Sequence, residues 1–234
     1  SLKRKRSTAL TPPLSAADAD HSPALSTALH VLATEATALS YITRLYETSP
    51  VAKTGLLGAI DAVETALAAG GKVVVSGVGK SGLVGRKTVA TLKSLGLAAS
   101  FLHAAEAVHG DLGDVQPRDV VVIISFSGRT AELLALLPHL PPAVPVIALS
   151  GHVKPECCPL LEGRSPELGI LLPAPVHEAE ETSFGVAAPT TSTAVAMALG
   201  DMLAIAAAER VLGEAVGEVF RGNHPGGAIG ARGR

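Results

Sequence analysis

KVVVSGVGKSG, residues Lys72 to Gly82, decides how this chain is read. Val73-Val74-Val75 is a continuous apolar run rather than an alternating one, the pattern of a strand buried on both faces in a parallel sheet covered by helices. Gly77, Gly79 and Gly82 punctuate a polar turn, and Ser81 to Leu95 reads as the helix that follows. In open α/β sheets ligands bind outside the carboxyl ends of the strands, which is where this turn falls.

Two familiar motifs compete for the turn, and each fails on a named residue. It matches G-x-G-x-x-G, but the dinucleotide fingerprint asks for an acid about 20 residues on. LAASFLH occupies that region, with no acid before Glu106. The segment also ends in GKS like a P-loop, yet the P-loop's first glycine would fall at Val74, inside the strand. What survives is shared physics. Gly79 lets backbone approach, a helix N-terminus with Ser81 offers donors to an anion, and Lys80 adds a mobile cation. A plain tight turn is the alternative.

Working outward, strands are expected at Ala98–Leu102, Val120–Ile124, Val144–Leu149 and Gly169–Leu172, and helices at Arg129–Leu137 and about Pro189–Leu212. Upstream, Ala24–Glu47 and Val51–Ala69 carry apolar residues at helical spacing and are parted by Ser49-Pro50, so a helical hairpin leads into the domain. The alternation predicts one three-layer α/β/α sandwich around a mostly parallel five-stranded sheet, spanning residues 24–234. Residues 1–23 open on SLKRKRS and read as a disordered basic tail, with a nuclear address as the alternative.

Composition narrows the class. Hydrophobic residues make up 47% of the 234 residues, aromatics only 3%, and Trp is absent, so aliphatic side chains must build the core. A net charge of -2 gives no global field for nucleic acid or an anionic membrane. Ala187–Ala208 is nearly all small or apolar, but Asp201 in its middle argues for a buried helix rather than a membrane span. Cys157 and Cys158 are adjacent and poorly placed to staple a fold, which suits a reducing, cytoplasmic setting.

Two more hydroxyl-rich turns fall at the same end of the sheet. Ser125-Phe-Ser127-Gly-Arg-Thr130 follows the VVVII strand, and Pro189-Thr190-Thr191-Ser-Thr opens the long helix. Such hydroxyls either cap a helix or help grip a phosphate with free backbone donors. Glu178 to Glu181 is an acidic loop that could supply a base, or simply a solvated face. His103, Glu106, His109 and Asp111 crowd one segment, without the spacing of a recognised metal motif.

Taken in order, GVGKSG, HAAEAVHGDLG, SFSGRT, APTTSTAVAMALGD and NHPGGAIG resemble the arabinose-5-phosphate isomerases of the sugar-isomerase (SIS) superfamily, over about residues 51 to 230. The resemblance implies interconversion of D-arabinose 5-phosphate and D-ribulose 5-phosphate, with no cofactor or metal, in a homotetramer. It implies Lys80, Glu181 and His224 as catalytic groups, with His224 able to serve a neighbouring copy's site. Ser125, Ser127 and Thr130 would hold phosphate, aided by Gly79, Ser81, Thr190, Thr191 and His109. The family glutamate after S-x-S-G is Arg129 here, which cannot act as a base near neutral pH. A non-catalytic sugar-phosphate binding module is therefore the competing expectation.

Overall fold

In the computed structural model, residues 22–226 are described, and they contain five strands and eight α-helices. The tail expected at 1–23 lies outside them except for Ser22 and Pro23. Ser22 Oγ accepts from Leu25 N–H and caps α1 (Pro23–Thr48). The device repeats at once. Ser49, extended at φ -82 and ψ 123, ends α1 and caps α2 (Pro50–Ala68), again with proline in the first turn. Proline there loses no needed donor, and its fixed φ suits a helix start.

The strands are β1 (Val73–Gly77), β2 (Ala99–Leu102), β3 (Val120–Ile124), β4 (Val146–Ser150) and β5 (Gly169–Pro173), all parallel, in the order β2-β1-β3-β4-β5. Their side chains divide cleanly between two cores. Val73, Val75, Val122, Ile147 and Leu172 pack with α1, α2, α3 (Lys80–Ser94) and α7 (Thr191–Leu212). Val74, Val121, Ile123 and Ala148 face the smaller layer of α4 (Ala104–Ala107) and α5 (Ala131–Leu136). α6 (Glu180–Phe184) and α8 (Val216–Gly222) complete the set. The expected sandwich is present, with a sheet that is parallel throughout.

Three boundaries differ for physical reasons. β4 starts at Val146 rather than Val144, because Val144 N–H closes a turn onto Pro141 and Pro145 has no donor. α5 starts at Ala131 rather than Arg129, because Gly128 at φ +64 turns the chain back on Ser125 first. α7 starts two residues after Pro189, since Thr190 is still non-helical at φ -124 and ψ -76.

Close packing needs glycine at the helical layer. A Cβ on Gly55 of α2 would stand 2.0 Å from the Leu171 carbonyl oxygen, and one on Gly200 of α7 would stand 2.5 Å from Thr88 Oγ1 of α3. Among the described residues, no helix is long and apolar enough to cross a membrane, the Ala-rich α7 included.

Candidate active site

The chain runs from β1 to the edge strand β2 and returns to β3 on the other side of β1. The helix after β1 packs on one face of the sheet and the helix after β3 on the other. Their leading turns therefore diverge at the carboxyl end, and this opens the crevice where such sheets take ligands.

The β1 turn is built for close backbone approach. A Cβ on Gly77 would lie 2.9 Å from Ser81 C, and one on Gly82 2.8 Å from Gly77 O, so turn and helix interlock. Gly79, at φ +59 and ψ -128, is the α3 N-cap, and no side chain caps that end. The first N–H groups of a 15-residue helix are thus left for an anion, beside the exposed Lys80 and half-buried Ser81.

Lys80 and Ser81 line a cavity of about 300 Å³. Phe126, Ser150, Glu180 and Ser192 share its walls, with Ile124 and Leu149 at its base. Glu180 is held by the start of α7: its Oε1 accepts from Thr190 N–H (2.7 Å), Ser192 N–H (2.9 Å) and Ser192 Oγ (2.9 Å). A carboxylate there complements the positive end of a 22-residue helix. That helix end is already taken, so a phosphate would have to displace Glu180 to bind there.

The hydroxyl loop after β3 stands next to the cavity. Ser125 Oγ, almost fully buried, pairs with Thr130 Oγ1 at 2.9 Å, and Ser127 Oγ accepts from Arg129 N–H at 3.2 Å. His152, just beyond β4, hydrogen-bonds Ser127 O at 3.0 Å. Ser127 and Thr130 do not line the cavity themselves; Phe126 comes between as the wall. Behind Ser150 lies Cys158, whose thiol is pushed above its ordinary range by burial and so stays protonated.

The residues expected from sequence are thus distributed unevenly. Gly79, Lys80 and Ser81 stand on one turn, and Ser125, Ser127 and Thr130 on the neighbouring one. Thr190 is tied to Glu180 by its backbone, and Thr191 is buried with an Oγ1 that has no hydrogen-bond partner. Glu181 is exposed on α6 and lines no part of the cavity; Glu180 does. His109 and Asp111 are exposed, and no group of three His, Cys, Asp or Glu side chains among the described residues could hold a metal. His224 is at the opposite pole of its own chain. Its Nδ1 lies 2.7 Å from Phe220 O, and neighbouring Asn223 bonds Lys93 O and Ser94 O at the end of α3. α3 starts at Lys80, so roughly 20 Å of helix separates the two, at 1.5 Å per residue.

Sequence reading missed Glu180, Ser150 and His152. For the last two a signal existed: Ser150-Gly-His152 follows a strand just as Ser125-Phe-Ser127 does. Choosing between adjacent glutamates was different, since no spacing rule distinguishes them.

A larger cleft of about 1000 Å³ runs along β5 between α2 and the 155–166 segment. Its walls are mostly apolar, and it lies apart from the strand tips that carry Lys80 and the hydroxyls. Size alone does not make it the chemical site.

A doubly wound parallel sheet with an anion-ready turn and a hydroxyl loop at its switch point defines the architecture of sugar-phosphate isomerase domains. The sequence pattern of the SIS domain matches residues 66–152. Over 86% of its length, this chain superposes with a TM-score of 0.68 on the structure of E. coli CFT073 c3406 in complex with arabinose 5-phosphate, at 33% identity and covering 97% of that protein. The chain belongs to the SIS-domain family. It is also 43% identical over 166 residues to arabinose 5-phosphate isomerase KdsD of Salmonella typhi, and 44% identical over 177 residues to KdsD of Pseudomonas aeruginosa PAO1. Those matches take in 69% and 74% of this chain but 46% and 50% of the two relatives, so the chain spans about half the length of the curated relatives it matches.

Proposed function

We propose that this protein is an aldose–ketose isomerase that interconverts D-arabinose 5-phosphate and D-ribulose 5-phosphate through an enediol. One observation carries the reading: an ammonium (Lys80), a carboxylate (Glu180) and hydroxyls (Ser81, Ser192) face one small cavity beside the loop of Ser125, Ser127 and Thr130. The names of the KdsD relatives support the choice of sugar.

The reaction opens the sugar ring and moves a proton between adjacent carbons, so it needs a base, an acid and a stabiliser of the developing oxyanion. Phosphate in the hydroxyl loop supplies remote binding energy that orients the sugar. Lys80 is the electrostatic stabiliser, and Glu180 takes the acid/base place first given to Glu181. His224 completes the site from a second copy.

A homo-oligomer fits the surface of α1. Leu25, Leu29, Leu32 and Leu39 form a heptad-spaced stripe and are exposed by 44, 47, 64 and 38% in one copy, on the side away from buried Thr34, Ala38 and Ile42. A helix apolar on opposite faces needs cover on both. The adjacent unpaired cysteines fit a cytoplasmic setting.

Arg129 favours a second reading, a sugar-phosphate sensor without turnover. It puts an exposed cation on the phosphate loop, where it could pair with a phosphate. Incubation with D-ribulose 5-phosphate in deuterated water separates the two. An isomerase yields arabinose 5-phosphate labelled at the carbon next to the carbonyl, and Lys80→Ala lowers kcat by about 10²–10³ with the fold intact. Tight binding without label would replace this reading with the sensor.

A further inference from the structure

The chain has four phenylalanines, and their settings differ. Phe101 packs under Arg86 at the core, Phe184 meets His30 edge-on, and Phe220 stacks on His224. Phe126 instead stands in the middle of the hydroxyl loop, 46% exposed, with the cavity against it. An aromatic ring between two phosphate-type serines is costly to expose unless a ligand covers it.

Its mount is stiff. The Phe126 carbonyl accepts from Ser150 Oγ at 3.0 Å and from Gly151 N–H at 2.9 Å. Gly128, at φ +64, closes the turn behind it. Gly151 leaves room for the ring: a Cβ there would lie 2.9 Å from Phe126 Cε2 and 3.1 Å from Cζ. The ring is held from its backbone and from the side, and it cannot swing towards β4.

The geometry points to Phe126 as the residue that sets the length of sugar the site accepts. This rests on the isomerase reading of the same cavity and concerns specificity within it. A sugar anchored by its phosphate at Ser125, Ser127 and Thr130 must pass the ring before reaching Lys80 and Glu180. The C–H face of the sugar packs on the ring. A cavity of about 300 Å³ is at the small end for ligand sites, so each added carbon competes with the ring for room.

The test compares five-, six- and seven-carbon ketose phosphates, by turnover and by calorimetric Kd, with wild type, Phe126→Ala, Phe126→Leu and Gly151→Ala. Phe126→Ala is expected to weaken the five-carbon substrate about tenfold, mostly in KM, and to shift the five- to seven-carbon ratio towards the longer sugar by about tenfold or more. Phe126→Leu keeps most of the bulk and so most of the length limit, with a raised KM. Gly151→Ala pushes the ring inward and sharpens the preference for short sugars. An unchanged length ratio in folded Phe126→Ala, in turnover and in Kd alike, overturns the inference. If wild type binds but does not turn over, the isomerase reading falls while the Kd ratios still decide the role of Phe126. If it binds none of the three, both fall.

Discussion

The two ends of the sheet are built to opposite rules. At the amino end, Asp119 is 2% exposed and each of its oxygens is used: Oδ1 accepts from Lys72 N–H, and Oδ2 from Lys72 Nζ and Gln116 N–H, all at 2.8–2.9 Å. Charge, donors and acceptors close on each other there, and nothing is left for a ligand. At the carboxyl end, Ser76 Oγ and Thr191 Oγ1 are buried without partners, α3 has no side-chain cap, and Lys80 extends into solvent. Unmet polar groups at one end and a closed knot at the other show where stability is concentrated and where binding is.

The contrast can be broken at either end. The largest effect is expected from Asp119→Ala, which strands a mostly buried ammonium and should cost about 3 kcal/mol of folding stability. That is a fall of roughly 10 °C in Tm for a chain of this size. Turnover per folded molecule should hardly change; a loss of activity in step with Lys80→Ala would mean that the two ends are coupled. Next, Ser127→Ala removes an exposed hydroxyl and should raise KM about tenfold, with Tm within about 2 °C of wild type because exposed sites contribute little. A large stability loss there would make the loop a structural cap instead. The smallest effect is expected from Ser76→Ala. Removing a buried hydroxyl that has no partner should leave stability unchanged or raise it by up to about 1 kcal/mol, as read by chemical denaturation. A clear destabilisation would reveal a partner for that hydroxyl.

Much of this was legible in the chain. Val73–Val75 and Val120–Ile124 announced buried parallel strands, since a strand covered on both sides has no polar face to alternate with. Ser-Pro at 22–23 and 49–50 marked two helix starts through local capping. The glycine turn at 77–82 and the SFSG loop were placed at the ligand end by strand order alone. Glu180 and Phe126 were not legible as site residues. A glutamate's role depends on which of two neighbours faces the α7 N-terminus, and a phenylalanine in sequence looks like core. His224 shows the same limit from the other side. The motif around it is recognisable, but its own chain carries it to the far end of α3.

Sequence by itself determined the layer order, the parallel sheet and the family, because these follow from hydrophobic period, turn residues and motif order, all local along the chain. Only the tertiary structure decided that Glu180 rather than Glu181 enters the cavity, that Phe126 walls it, and that the start of α7 is already occupied. Those facts depend on which side chains from distant segments converge at one point, and convergence is set by how helices pack across the sheet.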